Sequence, residues 1–195
     1  MSSSQIVAIE TMYVPKLSAR TKLPINLNEC EKVTNAAFAH CSSLEKINLD
    51  NCEKIEYKAF LDNSSLTEIS LPKCKSIDGC VFGISEYSGE GCKNLKTVKA
   101  PMCESIGKLA FQECVSLNEV DLSNCKEIGE YAFFDCISLK TLYLPKCEKI
   151  APNAFEGCRG LEKVVVPKGC LYGNEDIEKA QELLPIVYLD DLNLG

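Results

Sequence analysis

The sequence predicts a solenoid of stacked repeats, with about eight short parallel strands in a curved array that is capped at both ends. Three kinds of residue recur every 22 residues, and one seven-residue insertion between Phe82 and Cys92 interrupts them. The recurring cysteines are Cys30, Cys52, Cys74, Cys103, Cys125 and Cys147, the phenylalanines are Phe38, Phe60, Phe82, Phe111, Phe133 and Phe155, and the leucines are Leu44, Leu66, Leu95, Leu117, Leu139 and Leu161. Because one such unit cannot bury its own apolar side, the columns predict a core shared by successive units.

The second half of each unit predicts a strand. Leu142-Tyr143-Leu144 alternates apolar and polar positions, and Pro145 ends the segment. The same spacing places equivalent strands around residues 25, 47, 69, 98, 120, 142, 164 and 186. The first half of the unit, as in Ile128 to Phe133, is predicted to form a turn or a short helical segment that carries the phenylalanine inward.

The chain divides into three predicted regions. Residues 1–22 break the pattern and are predicted to cap the N-terminal end of the core. Residues 23–170 are the repeats, with the insertion near 83–91. Residues 171–195 are predicted to form a divergent final repeat and an acidic C-terminal cap, because they carry six acids against one base.

A helix is predicted near residues 175–184 within this acidic region. Asn174 is a suitable N-cap, acidic residues occupy the first turn, and Pro185 follows the end. Acidic side chains at this place interact favourably with the helix dipole.

The repeated unit also carries a recognisable motif. LEKINLDNC (residues 44–52) fits the pattern L-x-x-L-x-L-x-x-N/C and so resembles leucine-rich repeats. AFFDCISL (residues 132–139) resembles the BspA-like subfamily, which occurs in surface and secreted proteins of some bacteria and of parasitic protists such as trichomonads. The resemblance covers about residues 23–170 and implies a leucine-rich-repeat solenoid, of the α/β-type repeat class with little regular helix.

The resemblance implies a structural role for the first cysteine column. In leucine-rich repeats the Asn/Cys position turns inward and bonds backbone groups of the turn that follows the strand, since buried backbone groups need partners. The predicted structural ladder is Cys30, Cys52, Cys74, Cys103, Cys125 and Cys147. A second column consists of Cys41, Cys92, Cys114, Cys136 and Cys158, with Asn63 in the place of a cysteine.

Metal binding and disulfide formation are the alternatives for these cysteines. A zinc site requires clustered thiolates or histidines, but the sequence has no C-x-x-C pair and His40 is its only histidine. Column neighbours lie within disulfide range, but their side chains point the same way and the count of 13 is odd. Cys80 and Cys170 fall outside both columns, either as exposed thiols or as small buried residues.

No constellation in the sequence indicates catalysis. His40 occupies a repeat turn, and Gly89-Glu90-Gly91 lacks the lysine and hydroxyl residue of a phosphate-binding loop. Asn63-Ser64-Ser65 matches a glycosylation acceptor, but its place in the second cysteine column favours a buried structural role. We therefore predict no enzyme activity, no cofactor and no metal.

Charge and hydropathy exclude further classes of partner. Outside residues 171–195, 22 acids and 20 bases are spread without a basic stripe, which argues against nucleic acid and anionic membranes. No apolar run is long enough to predict a transmembrane segment. The first residues lack a secretion signal, which favours an intracellular location, whereas the family resemblance suggests the cell surface or secretion.

Outward-facing strand positions form two rows, which we predict to be a partner-binding face. The first row is Lys46, Glu68, Thr97, Glu119, Thr141 and Lys163. The second row is Asn26, Asn48, Ser70, Lys99, Asp121, Tyr143, Val165 and Val187. The end of the second row is either an exposed apolar patch or is covered by the folded tail. The insertion adds Tyr87 as a candidate loop contact.

We predict a non-enzymatic scaffold that binds another protein through the concave strand face of the array. The resemblance implies an alternative function, a surface or secreted adhesin that contacts host or matrix protein. A third hypothesis is a self-associating structural module, since the sequence leaves the oligomeric state open.

Overall fold

The computed structural model describes residues 25–85, 89–176 and 184–192, which form a parallel β-solenoid. The predicted cap at residues 1–22 lies outside the described residues. Each turn contributes one strand to a front sheet and one to a back sheet. The described residues contain no helix except one turn of 3-10 helix at Leu189–Asp191.

The front strands confirm all eight predicted positions. They are β1 (Ile25–Asn26), β3 (Ile47–Asn48), β5 (Glu68–Ser70), β7 (Thr97–Lys99), β9 (Glu119–Asp121), β11 (Thr141–Tyr143), β13 (Lys163–Val166) and β16 (Ile186–Tyr188). Equivalent residues pair directly, as Ile25 does with Ile47 and Val98 with Val120. The hydrogen-bonded ladder is nevertheless interrupted between β3 and β5 and again between β9 and β11.

A continuous back sheet of eight strands was not predicted. It consists of β2 (Lys32–Val33), β4 (Lys54–Ile55), β6 (Ser76–Ile77), β8 (Ser105–Ile106), β10 (Glu127–Ile128), β12 (Lys149–Ile150), β14 (Leu171–Tyr172) and β15 (Glu175–Asp176). The turn or helical segment expected from Ile128 therefore begins only after that residue, which is part of a strand. Strands of two residues are too short to show an alternating pattern.

The start of the helix predicted near residues 175–184 is wrong. Glu175–Asp176 form β15, which pairs antiparallel with Leu171–Tyr172. Gly173, with φ of +66°, lies in the two-residue turn between these strands. Residues 177–183 lie outside the described residues.

Six phenylalanine rings stack through the core, one in each turn. The centroids of adjacent rings lie 5.1–5.6 Å apart and their planes differ by 7–17°. Such stacked pairs contribute about 0.5–1.5 kcal/mol beyond the burial of their area. Each interior ring contacts the turn before and the turn after, so no turn has a core of its own.

Two positions in each turn adopt the left-handed backbone conformation. The first set is Ala36, Lys58, Cys80, Leu109, Tyr131 and Asn153, and the second is His40, Asp62, Gly91, Glu113, Asp135 and Gly157. A residue with a side chain loses about 1–2 kcal/mol in this conformation. Because most of these residues have side chains, stacking between turns, rather than local preference, fixes the backbone here. Cys80 and His40 are therefore turn residues.

Candidate functional site

The first predicted row forms cross-strand contacts on the front sheet. Lys46 Nζ lies 3.6 Å from Glu68 Oε1, and the Thr97 hydroxyl donates to Glu119 Oε2 at 3.5 Å. Contacts of this kind at an exposed surface contribute at most about 1 kcal/mol. A partner could therefore rearrange them at little energetic cost.

The second row is more tightly held. Asn26, Asn48 and Asp121 each accept a hydrogen bond through Oδ1 from the backbone N–H two residues further along, at 3.3, 3.0 and 3.2 Å. These Asx turns fix the orientation of the side chains at the end of each strand. Ser70 and Lys99, on the intervening strands, are exposed.

An open groove of about 570 Å³ lies on the N-terminal half of the front sheet. It is lined by Ile25, Asn26, Lys46, Ile47, Asn48, Glu68, Ile69, Ser70, Thr97 and Lys99. Its centre is the junction between β3 and β5, where the ladder is interrupted. Seven of the fourteen residues in the two predicted rows line it. Ile25 is half-buried, whereas Ile47 and Ile69 are 9% and 2% exposed and belong to the core beneath the groove.

The C-terminal half of the front sheet differs from the prediction at Val165. This side chain is only 2% exposed, so it is not available as a contact residue. It lies between Tyr143 and Val187, its register partners on the adjacent strands, which shield it from both sides. Tyr143 remains 42% exposed, whereas Val187 is half-buried. Together with Thr141, Tyr143 gives this half a mixed rather than an apolar surface.

A buried carboxylate anchors the base of the insertion, which the sequence analysis did not recognise. Asp62 is 6% exposed and its Oδ1 accepts hydrogen bonds from the N–H groups of Ser85 and Gly91, at 3.2 and 3.0 Å. Gly89 packs so closely that a Cβ there would lie 1.9 Å from Oδ1. The candidate contact Tyr87 lies outside the described residues, within the loop that this carboxylate closes.

His40 lies beside this anchor, at the rim of a second cavity of about 450 Å³. Its Nδ1 is 3.1 Å from Asp62 Oδ2, but this oxygen is buried without a hydrogen bond. The two backbone bonds to Oδ1 therefore hold the carboxylate, which suits a structural role better than proton transfer to a ligand. The two glycines at positions 89 and 91 were the available signal, because glycine permits close approach of the backbone.

The described part of the chain contains neither a metal-binding cluster nor a membrane-spanning helix. No group of three or more His, Cys, Asp or Glu side chains is arranged to hold a metal ion within it. No helix within it is long and apolar enough to cross a membrane.

Comparison with family models gives a match over most of the chain. Residues 18–87 and 76–177 match the BspA type leucine rich repeat region, in six copies. The chain belongs to this family. No curated protein matches the sequence.

Solved structures of leucine-rich-repeat proteins share the fold. A leucine-rich repeat protein of T. pallidum is 30% identical, with a TM-score of 0.64 over 79% of this chain and 71% of that one. A leucine-rich repeat protein from Eubacterium ventriosum is 22% identical, with a TM-score of 0.55 over 72% of this chain and 44% of that one. The BspA-type chain is thus a repeat scaffold.

All thirteen cysteines of this BspA-type chain carry free thiols, and most donate a hydrogen bond to a backbone carbonyl. In the first column the acceptor is two residues further along, at 3.1–3.6 Å, for Cys30, Cys52, Cys74, Cys103, Cys125 and Cys147. In the second column Cys92, Cys114, Cys136 and Cys158 donate at 2.9–3.5 Å to the phenylalanine carbonyl of the preceding turn. The thiols thus satisfy the carbonyls within and between turns of the BspA-type unit.

Burial makes most of these thiols unreactive. Cys158 and Cys170 are exceptions, because hydrogen bonds with the thiols of Cys136 and Cys147 lower their pKa. Burial raises the pKa of Cys52 and Cys103 to about 11 and that of Cys92 and Cys125 to about 12. Since the thiolate is the nucleophile, such cysteines react slowly near neutral pH. Cys80, at a turn position, is the one cysteine that is not fully buried.

We expect Cys80 to be alkylated first when the native BspA-type chain is treated with iodoacetamide at about pH 8. The buried thiols should react only after global or local unfolding. Peptide mass spectrometry over a time course measures the order, and denatured protein provides the reference of thirteen labelled cysteines. Labelling of a cysteine in either column as fast as Cys80 would contradict the buried-ladder arrangement.

Asn63 replaces a thiol in the second column of the BspA-type repeats. It is fully buried, and its Nδ2 donates to the Phe38 carbonyl at 2.7 Å, so the folded chain cannot carry a glycan there. Its Oδ1 is buried without a hydrogen-bond partner. An unsatisfied buried acceptor costs about 1–3 kcal/mol.

We expect Asn63→Cys to raise the free energy of unfolding by about 1 kcal/mol, because a thiol can donate to the same carbonyl without an orphaned oxygen. Urea denaturation followed by circular dichroism measures the change. Asn63→Ala is the control, because it removes the donor as well and should destabilise. Equal stability of the two variants would show that the thiol bond contributes nothing.

Proposed function

We propose that this chain is a non-enzymatic scaffold that binds another protein through the front sheet. The observation that supports it most directly is the open groove over β1, β3, β5 and β7, which polar and charged side chains of these strands line. Concave surfaces on which a few polar groups converge are typical of binding sites. Strand residues hold the walls, so the contact groups have fixed positions on a rigid sheet.

The charges of the two sheets support the choice of face. Around the back sheet, lysines pair with acids of an adjacent turn, as in Lys75 with Glu53 at 2.6 Å and Lys126 with Glu104 at 2.8 Å. These hydrogen bonds lower the pKa of Glu53 and of Glu104. On the front sheet, Lys99 has no acid within 4.0 Å among the described residues. Most lysines of the back are thus paired with acids, whereas Lys99 on the front is open to a partner.

The test is a comparison of matched triple variants. Binders are first selected from a displayed random-peptide library against the wild-type chain. Their affinities are then measured for a front variant with Lys99→Ala, Asp121→Ala and Tyr143→Ala. The control carries Glu127→Ala, Lys149→Ala and Leu171→Ala on the back sheet, which removes the same kinds of group.

We expect the front variant to lose at least about tenfold in affinity for most binders, since a few contact residues dominate binding energy. The back variant should change affinity less than about twofold. Selection of binders that prefer the back sheet would overturn the proposal. Light scattering provides a separate check, because a mass that rises with concentration would favour self-association instead.

A further inference from the structure

Four residues of the second row cross the groove on neighbouring strands. Asn26, Asn48, Ser70 and Lys99 lie on β1, β3, β5 and β7, at about 4.8 Å per strand. They therefore span about 14 Å across the strands. An extended peptide covers this distance with about four residues, at about 3.3 Å each.

The Asx turns decide which hydrogen-bonding groups face the groove. Asn26 and Asn48 each use Oδ1 to accept a backbone N–H of their own turn. An amide side chain has one oxygen and one NH₂ group, so each keeps its Nδ2 donor. Within residues 25–85, 89–176 and 184–192, neither Nδ2 has a hydrogen-bond partner.

Lys99 adds a positive charge at the other end of the same row. Its register partner is Asp121, but that carboxylate is held by the backbone N–H and the hydroxyl of Ser123. The nearest cation in the first row, Lys46, is already close to Glu68. The open groups of the groove are therefore two amide donors, the Ser70 hydroxyl and one ammonium group, with no unpaired acid between them.

We propose that this groove binds an extended, carboxylate-rich segment of a partner protein. The inference rests on the proposed function and specifies the chemistry of its ligand. Carboxylate oxygens accept hydrogen bonds from amide NH₂ and ammonium groups, and bonds of this charge-assisted kind are the strong ones. Ile25, which is half-buried at the edge of the groove, offers a contact for an aliphatic part of the segment. The net charge of −7 repels a long polyanion that approaches from a distance. A short segment in the groove is instead closer to Lys99 than the screening length of the salt solution, so the local attraction acts on it.

The probe is a fluorescent six-residue peptide that alternates glutamate and alanine, and its reference is the same peptide with glutamine. Fluorescence anisotropy with the full chain is measured at about 20 mM and at about 300 mM salt. We expect the glutamate peptide to bind at least tenfold more tightly than the glutamine peptide. Its affinity should fall at the higher salt concentration, because exposed charge interactions are screened.

Asn48→Asp is the decisive variant. It keeps the oxygen that accepts the Asx-turn bond but replaces the NH₂ donor by a second oxygen, so the fold is retained while the groove loses a donor. We expect it to weaken binding of the glutamate peptide at least tenfold, as should Lys99→Ala. Asn118→Asp, directly before β9 and outside the groove, has the same change in charge and should leave affinity nearly unchanged.

The possible results separate this inference from the proposed function. Equal binding of the glutamate and glutamine peptides, or equal effects of Asn48→Asp and Asn118→Asp, would overturn the carboxylate ligand. If the selected front-sheet binders were basic or apolar, the carboxylate ligand would be overturned, whereas the scaffold proposal would stay intact. If heparin or single-stranded DNA bound more tightly than the glutamate peptide and displaced it, the donors of the groove would belong to a site for a different class of polyanion, which would overturn the carboxylate ligand. Loss of front-sheet preference in the peptide selection would overturn both.

Discussion

Replacing Phe111 by alanine is expected to lower the free energy of unfolding by about 3–5 kcal/mol, the range for a fully buried aromatic residue. Phe111 is 0% exposed and stacks between Phe82 at 5.2 Å and Phe133 at 5.1 Å. Its removal leaves a cavity and breaks two ring contacts at once. Because turns are stabilised by their neighbours, the loss should also reduce cooperativity between the two halves of the solenoid.

Urea denaturation followed by circular dichroism measures this loss and, through the slope of the transition, the cooperativity. Phe155→Ala is the matched control, because Phe155 has one stacking neighbour among the six rings and lies near the C-terminal end. Its cost should be distinctly smaller. If the two variants were equally destabilised, or if Phe111→Ala cost less than about 2 kcal/mol, the column would not be the continuous support described above.

Gly89→Ala is expected to destabilise the chain by about 2 kcal/mol, since the added methyl group must displace a buried carboxylate or strain the loop. The Cβ would lie 1.9 Å from Asp62 Oδ1, and that carboxylate is held by two backbone N–H groups. Asp62→Ala should destabilise by about 2–3 kcal/mol, because those N–H groups lose a charged acceptor. Gly169→Ala is the control, as no atom lies within 4 Å of its Cβ position.

The two changes should not be additive. In an Asp62→Ala background there is no carboxylate for the methyl group to meet, so Gly89→Ala should then cost less than about 0.5 kcal/mol. A double-mutant cycle of unfolding free energies measures this coupling, and hydrogen exchange at the Gly91 amide reports whether the loop base opens. Additive costs would mean that Asp62 does not hold the insertion.

The front strands were predictable because their apolar and polar residues alternate and recur with the period. Leu142, Tyr143 and Leu144 show this alternation in three residues, and the structure places them as predicted. The back strands contain two residues each, so Lys54–Ile55 has no alternation to detect. The recurring isoleucine was visible, but one apolar position does not distinguish a strand from a turn.

The C-terminal hairpin could have been predicted from a turn signal. Gly173-Asn174 is a dipeptide typical of two-residue hairpin turns, and it lies between Leu171–Tyr172 and Glu175–Asp176. The acidic residues that follow also fit the start of a helix, which is the predicted structure. Local pattern does not decide between the two, because β14 is held by β12 of the preceding turn, 22 residues earlier in the sequence.

The candidate site was predictable in its positions but not in its boundaries. Strand register gave the two rows, whereas the groove depends on the interruption between β3 and β5, which no residue type signals. Val165 was expected to face outward, yet its neighbours on the adjacent strands bury it. The Asp62 anchor joins residues far apart in sequence, so only the folded chain brings them together.

The difference between the two sheets has a mechanical consequence. The back sheet is bonded without a break from β2 to β15, whereas the front ladder is divided into blocks of two, three and three strands. Bending that spreads the front strands therefore breaks no ladder bond at the two junctions, while stretching the back would break bonds at every turn. Stiffness is thus uneven, and the softer of the two sides contains the groove. Adjustment to a ligand of different width can occur at β3 and β5 while the rest of the solenoid keeps its spacing.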